Sequence, residues 1–197
     1  MAEFEYPPGA TPLEPDEAEG LLLPHITTRS ELDRWEQDNI LEAETWAFRR
    51  RSSDLLNENF ILKLHEKMFG VVWEWAGSFR RSEKNLGVDP LFIRPSLLEL
   101  CRDVETWIEF KTYPADEIAA RFHHRLVFIH LFPNGNGRHA RLMADLLLVH
   151  VLNRPRFTWG GSSITDTDAG ECRTSYINTL RSADRHDYSP LLSFVRS

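Results

Sequence analysis

The chain has 197 residues, 42% of them hydrophobic and 27% charged, the balance of an ordinary globular protein able to bury one sizeable core. Thirty acidic side chains against 23 basic ones leave a formal net charge of −7, which disfavours broad attraction to nucleic acid or an anionic membrane and leaves any phosphate chemistry to a local site. Cys101 and Cys172 form no metal or redox motif, the start MAEFEYPPGATPLEPDEAEG lacks the basic-then-apolar order of a secretory signal, and no apolar run is long enough to span a bilayer, so a reduced, cytoplasmic setting is expected.

Residues 1–15 are rich in Pro and Glu and read as a loose N-terminal arm. Residues 16–22 can form a short helix that stops before Pro24. Ser30 opens a longer helical pattern with Leu32, Trp35, Ile40, Ala43 and Trp46 along one stripe. Ser53-Asp54 can cap the next helix, in which Leu56, Phe60, Leu64 and Met68 recur every four residues until Gly70. From residue 71 to residue 95 the character changes. Val-Val-Trp-Glu-Trp, Gly77, Gly87 and two prolines suggest an irregular segment with a short β-hairpin. Ser96-Leu-Leu-Glu99 has the form of a capping box for a helix through Val104, Trp107 and Ile108. Residues 116–150 read as two helices around a turn, with Ile118, Phe122, Leu126 and Ile129 on one face and Leu142, Leu146 and Val149 continuing the spacing. Two shorter helical patterns close the chain, through Cys172, Tyr176 and Leu180 and from Leu191 to Val195. The expected architecture is one domain, mainly α-helical, with one hairpin.

The turn inside residues 116–150 is HLFPNGNGRHAR, from His130 to Arg141. Asn-Gly is a strong hairpin signal, but the flanks RFHHRLVFIH and HARLMADLLLVH have helical rather than alternating spacing. Helix, glycine-rich turn, helix remains. Gly135 and Gly137 allow successive N–H groups to point into one concavity. The helix that follows adds its free amides and about half a positive charge. Arg138 and Arg141 stand three residues apart on its first turn. Together they suit a polyphosphate, the plain alternative being a solvated arginine pair. His130 closes the preceding helix and can accept a proton near neutrality, the plain alternative being a core or capping histidine. His65, His123, His124, His139 and His150 receive no role, and no pair of them has zinc-site spacing around a catalytic glutamate.

The same residues resemble the Fic motif, H-x-F-x-D/E-G-N-G-R-x-x-R, at seven of its eight fixed positions. The likeness extends to LHEKMFGVVWEWAGSFRRSEKNLGV (residues 64–88), which resembles the Fic lead-in and flap, and to RTSYINTLRSADRHDYSPLLSF (173–194), which resembles the closing helices. The N-terminal layout is similar to the small Fic proteins called mobile mystery protein B.

The resemblance implies a Fic-type helical bundle over 1–197 with a β-hairpin flap before the motif. It implies transfer of AMP from ATP to a Ser, Thr or Tyr hydroxyl of a target protein docked on that flap. In it His130 is the catalytic base and Phe132 anchors the loop. Gly135, Asn136, Gly137, Arg138 and Arg141 bind the phosphates, and Mg²⁺ accompanies the nucleotide. Asn134 stands where the family has an acidic metal ligand, so it either orients a metal-bound water or leaves the ion to the phosphates. Pro15-Asp-Glu-Ala-Glu19-Gly20 resembles the inhibitory helix S/T-x-x-x-E-G/N except at its first position, making Glu19 the candidate inhibitory carboxylate. Alternatives within the fold are transfer of UMP, phosphate or phosphocholine, or a catalytically weak nucleotide-binding regulatory module. A helix-turn-helix protein is a partner the resemblance admits, as is a second copy of the chain, whereas no direct contact with nucleic acid or membrane is expected.

Overall fold

The computed structural model describes residues 18–26, 28–50, 54–84, 86–161 and 170–197. The expected arm (1–15), Asp16 and Glu17 of the candidate inhibitory helix, and Ser53 lie outside the described residues.

Seven α-helices carry the described fold: α1 (Arg29–Phe48), α2 (Glu58–Phe69), α3 (Ile93–Glu109), α4 (Ala115–Ile129), α5 (Asn136–His150), α6 (Gly170–Ala183) and α7 (Ser189–Val195). Helix α5 is the centre. Ten of its residues are buried, Leu142, Met143, Leu146 and Leu147 among them, so it is apolar nearly all round, as a helix enclosed by others must be. It packs most extensively on α4; α1 lies on α2, α3 on α4, and α7 on α6. Each fully buried Leu or Phe is worth about 1.5–3 kcal/mol, and this core runs through α2, α3, α4 and α5 without a break.

The ends of the helices follow local chemistry. Thr28 and Glu31 form a complete capping box at the start of α1, two residues before the expected Ser30. Asn57 caps α2 by accepting the Asn59 N–H at 2.8 Å, so Ser53-Asp54 is not the cap. Helix α3 starts before the expected Ser96. Asp89 accepts the Leu91 N–H at 2.8 Å and opens a short 3-10 turn, Pro90–Phe92, that runs straight into it. Pro95 is tolerated because first-turn amides have no intrahelical partner to lose.

The buried line on α1 is Leu32, Glu36, Ile40, Ala43 and Ala47, while Trp35 is exposed. A glutamate inside an apolar line needs a partner, and it has two, described below. Between α2 and α3 the described residues form turns and no strand ladder, apart from one antiparallel bridge of Leu21 to Trp73. The expected hairpin is therefore not formed as a ladder there. Behind α5, fully buried Asp145 accepts from the Phe157 N–H at 3.1 Å, from Trp159 Nε1 at 3.2 Å and from Arg156 Nε at 3.1 Å. Those bonds fasten residues 156–159 to the central helix. Cys101 and Cys172 are free thiols. No helix among the described residues is long and apolar enough to cross a membrane.

Candidate active site

Helix α4 ends because His130 turns left-handed, with φ 58° and ψ 66°. A non-glycine residue in that region costs on the order of 1 kcal/mol or more and persists only where neighbours hold it. Arg80 is the holder. Its Nε donates to the His130 carbonyl at 2.6 Å, its backbone N–H donates to the Leu131 carbonyl at 2.9 Å, and its guanidinium also reaches the Ser82 and Val88 carbonyls. The segment that follows is clamped on the same residue. At Gly87 (φ +98°) an added Cβ would lie 2.7 Å from both Arg80 Nη2 and His130 Cβ, so only glycine admits this approach.

The His130 ring is buried, and neither ring nitrogen has a hydrogen bond of ordinary geometry. Burial, then the Arg80 charge, lower its pKa to about 4. The imidazole is therefore neutral at pH 7, with a lone pair uncommitted.

From His130 the chain crosses buried Leu131, Phe132 and Pro133. Phe132 is fully enclosed, its ring stacked on His65 at 3.6 Å and edge-on to His139 at 5.1 Å. The Asn136 side chain closes the loop on the Phe132 backbone: Oδ1 accepts from the N–H at 2.9 Å and Nδ2 donates to the carbonyl at 2.7 Å. Gly135 is the N-cap of α5 at φ +77°, and a Cβ there would meet the Phe69 ring at 2.6 Å. Conformation and crowding both require glycine. Asn136, Gly137 and Arg138 then present first-turn amides. Above Gly137 the nearest atom to an added Cβ is the Tyr176 hydroxyl at 3.9 Å, so that turn has room for an anion.

The two motif arginines part company. Arg138 Nη1 pairs with Glu36 Oε2 at 2.6 Å, both side chains largely buried, and its guanidinium lies over Phe69 at 4.8 Å. Trp73 Nε1 donates to the other Glu36 oxygen at 2.7 Å. Arg141 lies over the Tyr176 ring at 5.2 Å, and the Tyr176 hydroxyl is 2.9 Å from His123 Nε2. Burial raises the Tyr176 pKa to about 12, so the phenol stays neutral beside that arginine.

Asn134 does not reach out as a ligand. Its Oδ1 accepts the N–H of Gly135 at 2.5 Å, and among the described residues no cluster of three or more His, Cys, Asp or Glu side chains could hold a metal ion. Glu19 is exposed, at the end of a short helical piece before buried Gly20. The Gly20 carbonyl accepts the Glu74 N–H at 2.9 Å, which places this strand of chain beside Trp73.

Sequence reasoning brought His130, Asn134–Arg138 and Arg141 to one loop and helix turn, and the structure places them there. It missed Glu36, His65 and Arg80, whose partners lie 102, 69 and 50 residues away in the chain. One signal was legible: Glu36 and His65 each interrupt an apolar helical line with a polar group.

Comparison with known proteins agrees with this geometry. Residues 55–148 match the model of the Fic/DOC family. The chain is 28% identical over 147 residues to the protein adenylyltransferase Fic of Aedes aegypti, covering 73% of this chain but 28% of that protein. Among solved structures, the N-terminal Fic domain of Bep8 from Bartonella sp. 1-1C superposes with a TM-score of 0.67 at 14% identity, over 92% of this chain and 96% of that one. The N-terminal Fic domain of a cell filamentation protein from Bartonella quintana, with bound ADP, gives 0.65 at 15% identity, over 88% and 86%.

Proposed function

Since residues 55–148 are a domain of the Fic/DOC family, we propose that the chain is a protein adenylyltransferase, moving AMP from ATP to a Ser, Thr or Tyr hydroxyl of a target protein. The observation that carries this reading is the neutral, buried His130 with an uncommitted ring lone pair, one turn from a glycine-rich helix N-terminus with two arginines. The name of the Aedes aegypti relative supports adenylyl transfer. The ADP held by the Bartonella quintana domain supports a nucleotide in this fold.

The step divides the labour among named groups. A His130 nitrogen takes the proton of the acceptor hydroxyl, whose oxygen bonds to the α-phosphorus. The bond from that phosphorus to the α,β-bridging oxygen breaks, and pyrophosphate leaves. Amides of Asn136 and Gly137, and that of Gly135 once phosphate displaces Asn134 Oδ1, hold phosphate oxygens while Arg138 and Arg141 offset charge on the β- and γ-phosphates. Positioned charge of this kind supplies most of phosphoryl-transfer catalysis, and base help adds about 10²–10⁴. Phe132 keeps the loop anchored from below. Arg138 is already paired with Glu36, so phosphate must share or displace that carboxylate. Glu19 would act likewise, as an inhibitory carboxylate competing for Arg141.

Magnesium, where used, would be held by the nucleotide phosphates, because the Asn134 amide is turned back on its own loop. We assign no step to it. Changing Asn134 to Asp should raise Mg²⁺-dependent autolabelling; a fall would remove position 134 from metal chemistry. Residues 79–93 would serve as the flap, along which an extended stretch of target adds as a strand. A helix-turn-helix neighbour and a second copy of the chain remain partners to test by co-purification.

A second reading follows from Asn134, an amide turned back on its own loop where the family has an acidic residue: a nucleotide-binding regulatory module with weak or no transfer, or a transferase with another donor. Intact-mass measurement after incubation with ATP, UTP or a phosphocholine donor separates these. A gain of one AMP from ATP, lost with His130→Ala, is the expected result. Bound nucleotide with no mass gain would overturn the adenylyltransferase reading in favour of the module.

A further inference from the structure

The polar group on the α2 core line that the site description leaves unused is His65. It is fully buried, 69 residues from the motif loop in sequence and in direct contact with it. The Gly77 N–H donates to His65 Nδ1 at 3.0 Å. That bond requires Nδ1 to be the acceptor, which puts the ring proton on Nε2. Nε2 lies 3.1 Å from the Asn134 carbonyl oxygen and therefore donates to it. Below this bridge the ring stacks on Phe132 at 3.6 Å and tilts against Phe69 at 4.7 Å. One neutral imidazole thus ties together the root of residues 77–88 and the backbone of the phosphate loop.

The consequence comes from peptide geometry. In a trans peptide the carbonyl of one residue and the N–H of the next point in opposite directions. With the Asn134 carbonyl held on His65, the Gly135 N–H must point to the other side of the loop, and there it meets Asn134 Oδ1 at 2.5 Å. Were this peptide to flip, a carbonyl oxygen would face the anion side and the amide would face the core. A concavity of amides binds phosphate; one carbonyl turned into it repels the same oxygens.

We infer that His65 is a positioning residue for the reaction proposed above: by donating to the Asn134 carbonyl it fixes which way the first amide of the phosphate loop faces. The inference rests on that functional reading for its effect on catalysis, but its structural core does not. Full burial, and then the nearby His139, keep the His65 pKa well below the ordinary histidine value, so the donor–acceptor pattern holds at neutral pH.

Packing and positioning make opposite orders for two variants of the full chain. His65→Phe keeps the ring that stacks on Phe132 but has no donor. His65→Gln loses the stack but retains an amide donor at about the reach of Nε2. Per folded molecule, His65→Gln is expected to transfer AMP within about threefold of wild type. His65→Phe should lose about 10–100-fold, with weaker ATP binding, as a misplaced binding group does. The reverse order overturns the inference in favour of packing alone. Nitrogen-15 spectra of the histidine side chains and amides provide a readout without activity: a neutral, Nε2-protonated His65 and a Gly135 amide signal displaced in His65→Phe are expected. An Nδ1-protonated or charged ring refutes the inference even if that variant does not fold. A wild type that transfers nothing from ATP refutes the adenylyltransferase reading instead, and the spectra then decide the role of His65.

Discussion

The two walls that face the motif helix handle its positive charge differently. On the side of α1 and α2, Arg138 meets a buried carboxylate, Glu36, which an indole N–H also holds. On the side of α6, Arg141 lies over Tyr176, whose hydroxyl reaches both His123 and that arginine. The first wall compensates its arginine with charge inside the protein; the second presents a neutral aromatic face. A pair buried this deeply is costly to break because the partner left behind has lost its water. Arg138 therefore carries folding and function together, whereas Arg141 rests on an aromatic ring.

Truncation separates the two arginines most directly. Arg138→Ala should cost about 3–5 kcal/mol of unfolding free energy in a denaturant titration, because Glu36 is left buried without its counter-charge. Arg141→Ala, which takes a guanidinium off the Tyr176 ring, should cost about 0.5–2 kcal/mol while reducing transfer at least as much. Equal stability losses would erase the distinction.

Burial lowers His139 and His130 to about 4 and His123 to about 3, all below the ordinary value near 6.5 that the unfolded chain would show. The unfolded state then binds more protons between pH 6.5 and about 4. Stability is fully present above pH 6.5 and is lost as pH falls through that window, by about 1.4 kcal/mol per pH unit for each histidine involved. His139 lies near the first wall and His123 on the second, so both should give way together; a flat profile from pH 7 to pH 4.5 would contradict their burial as neutral groups.

Glu36→Gln tests the compensating charge itself. It keeps an acceptor for Trp73 and removes the negative charge from Arg138. Nucleotide affinity should rise about tenfold, or about 1.4 kcal/mol, with some loss of thermal stability; unchanged or weaker calorimetric binding would make Glu36 purely structural. The smallest effect is expected at Tyr176→Phe. Losing the bond to His123 should cost about 1 kcal/mol and leave the ring under Arg141. A large loss of ATP binding would show that the hydroxyl contacts the ligand.

Much of this was legible in the chain. The helices announced themselves through apolar spacing such as Leu64 and Met68 on α2, and the loop through its glycines, asparagines and arginines. The left-handed turn was harder to see, because it falls on His130 and not on a glycine. It exists only because Arg80, fifty residues earlier, holds the His130 carbonyl. Glu36 shows the same limit: an acidic residue on a helix reads as solvated until a distant arginine is placed against it. Residues 71–95, read as irregular with a short hairpin, hold turns and no strand ladder among the described residues, and these turns close on Ile129 and Leu131 of the motif region through Val88 and Arg80, contacts that no local pattern encodes.

In the proposed reaction a neutral imidazole beside an amide-and-guanidinium loop directs nucleotidyl transfer. Wild type and His130→Ala, each given ATP labelled at the α-phosphate and, in parallel, at the γ-phosphate, test it in one gel. The account predicts α-label on protein, no γ-label, and a loss of about 10²–10⁴ in rate without His130. Label arriving from the γ position, or α-label that persists undiminished in His130→Ala, would contradict it.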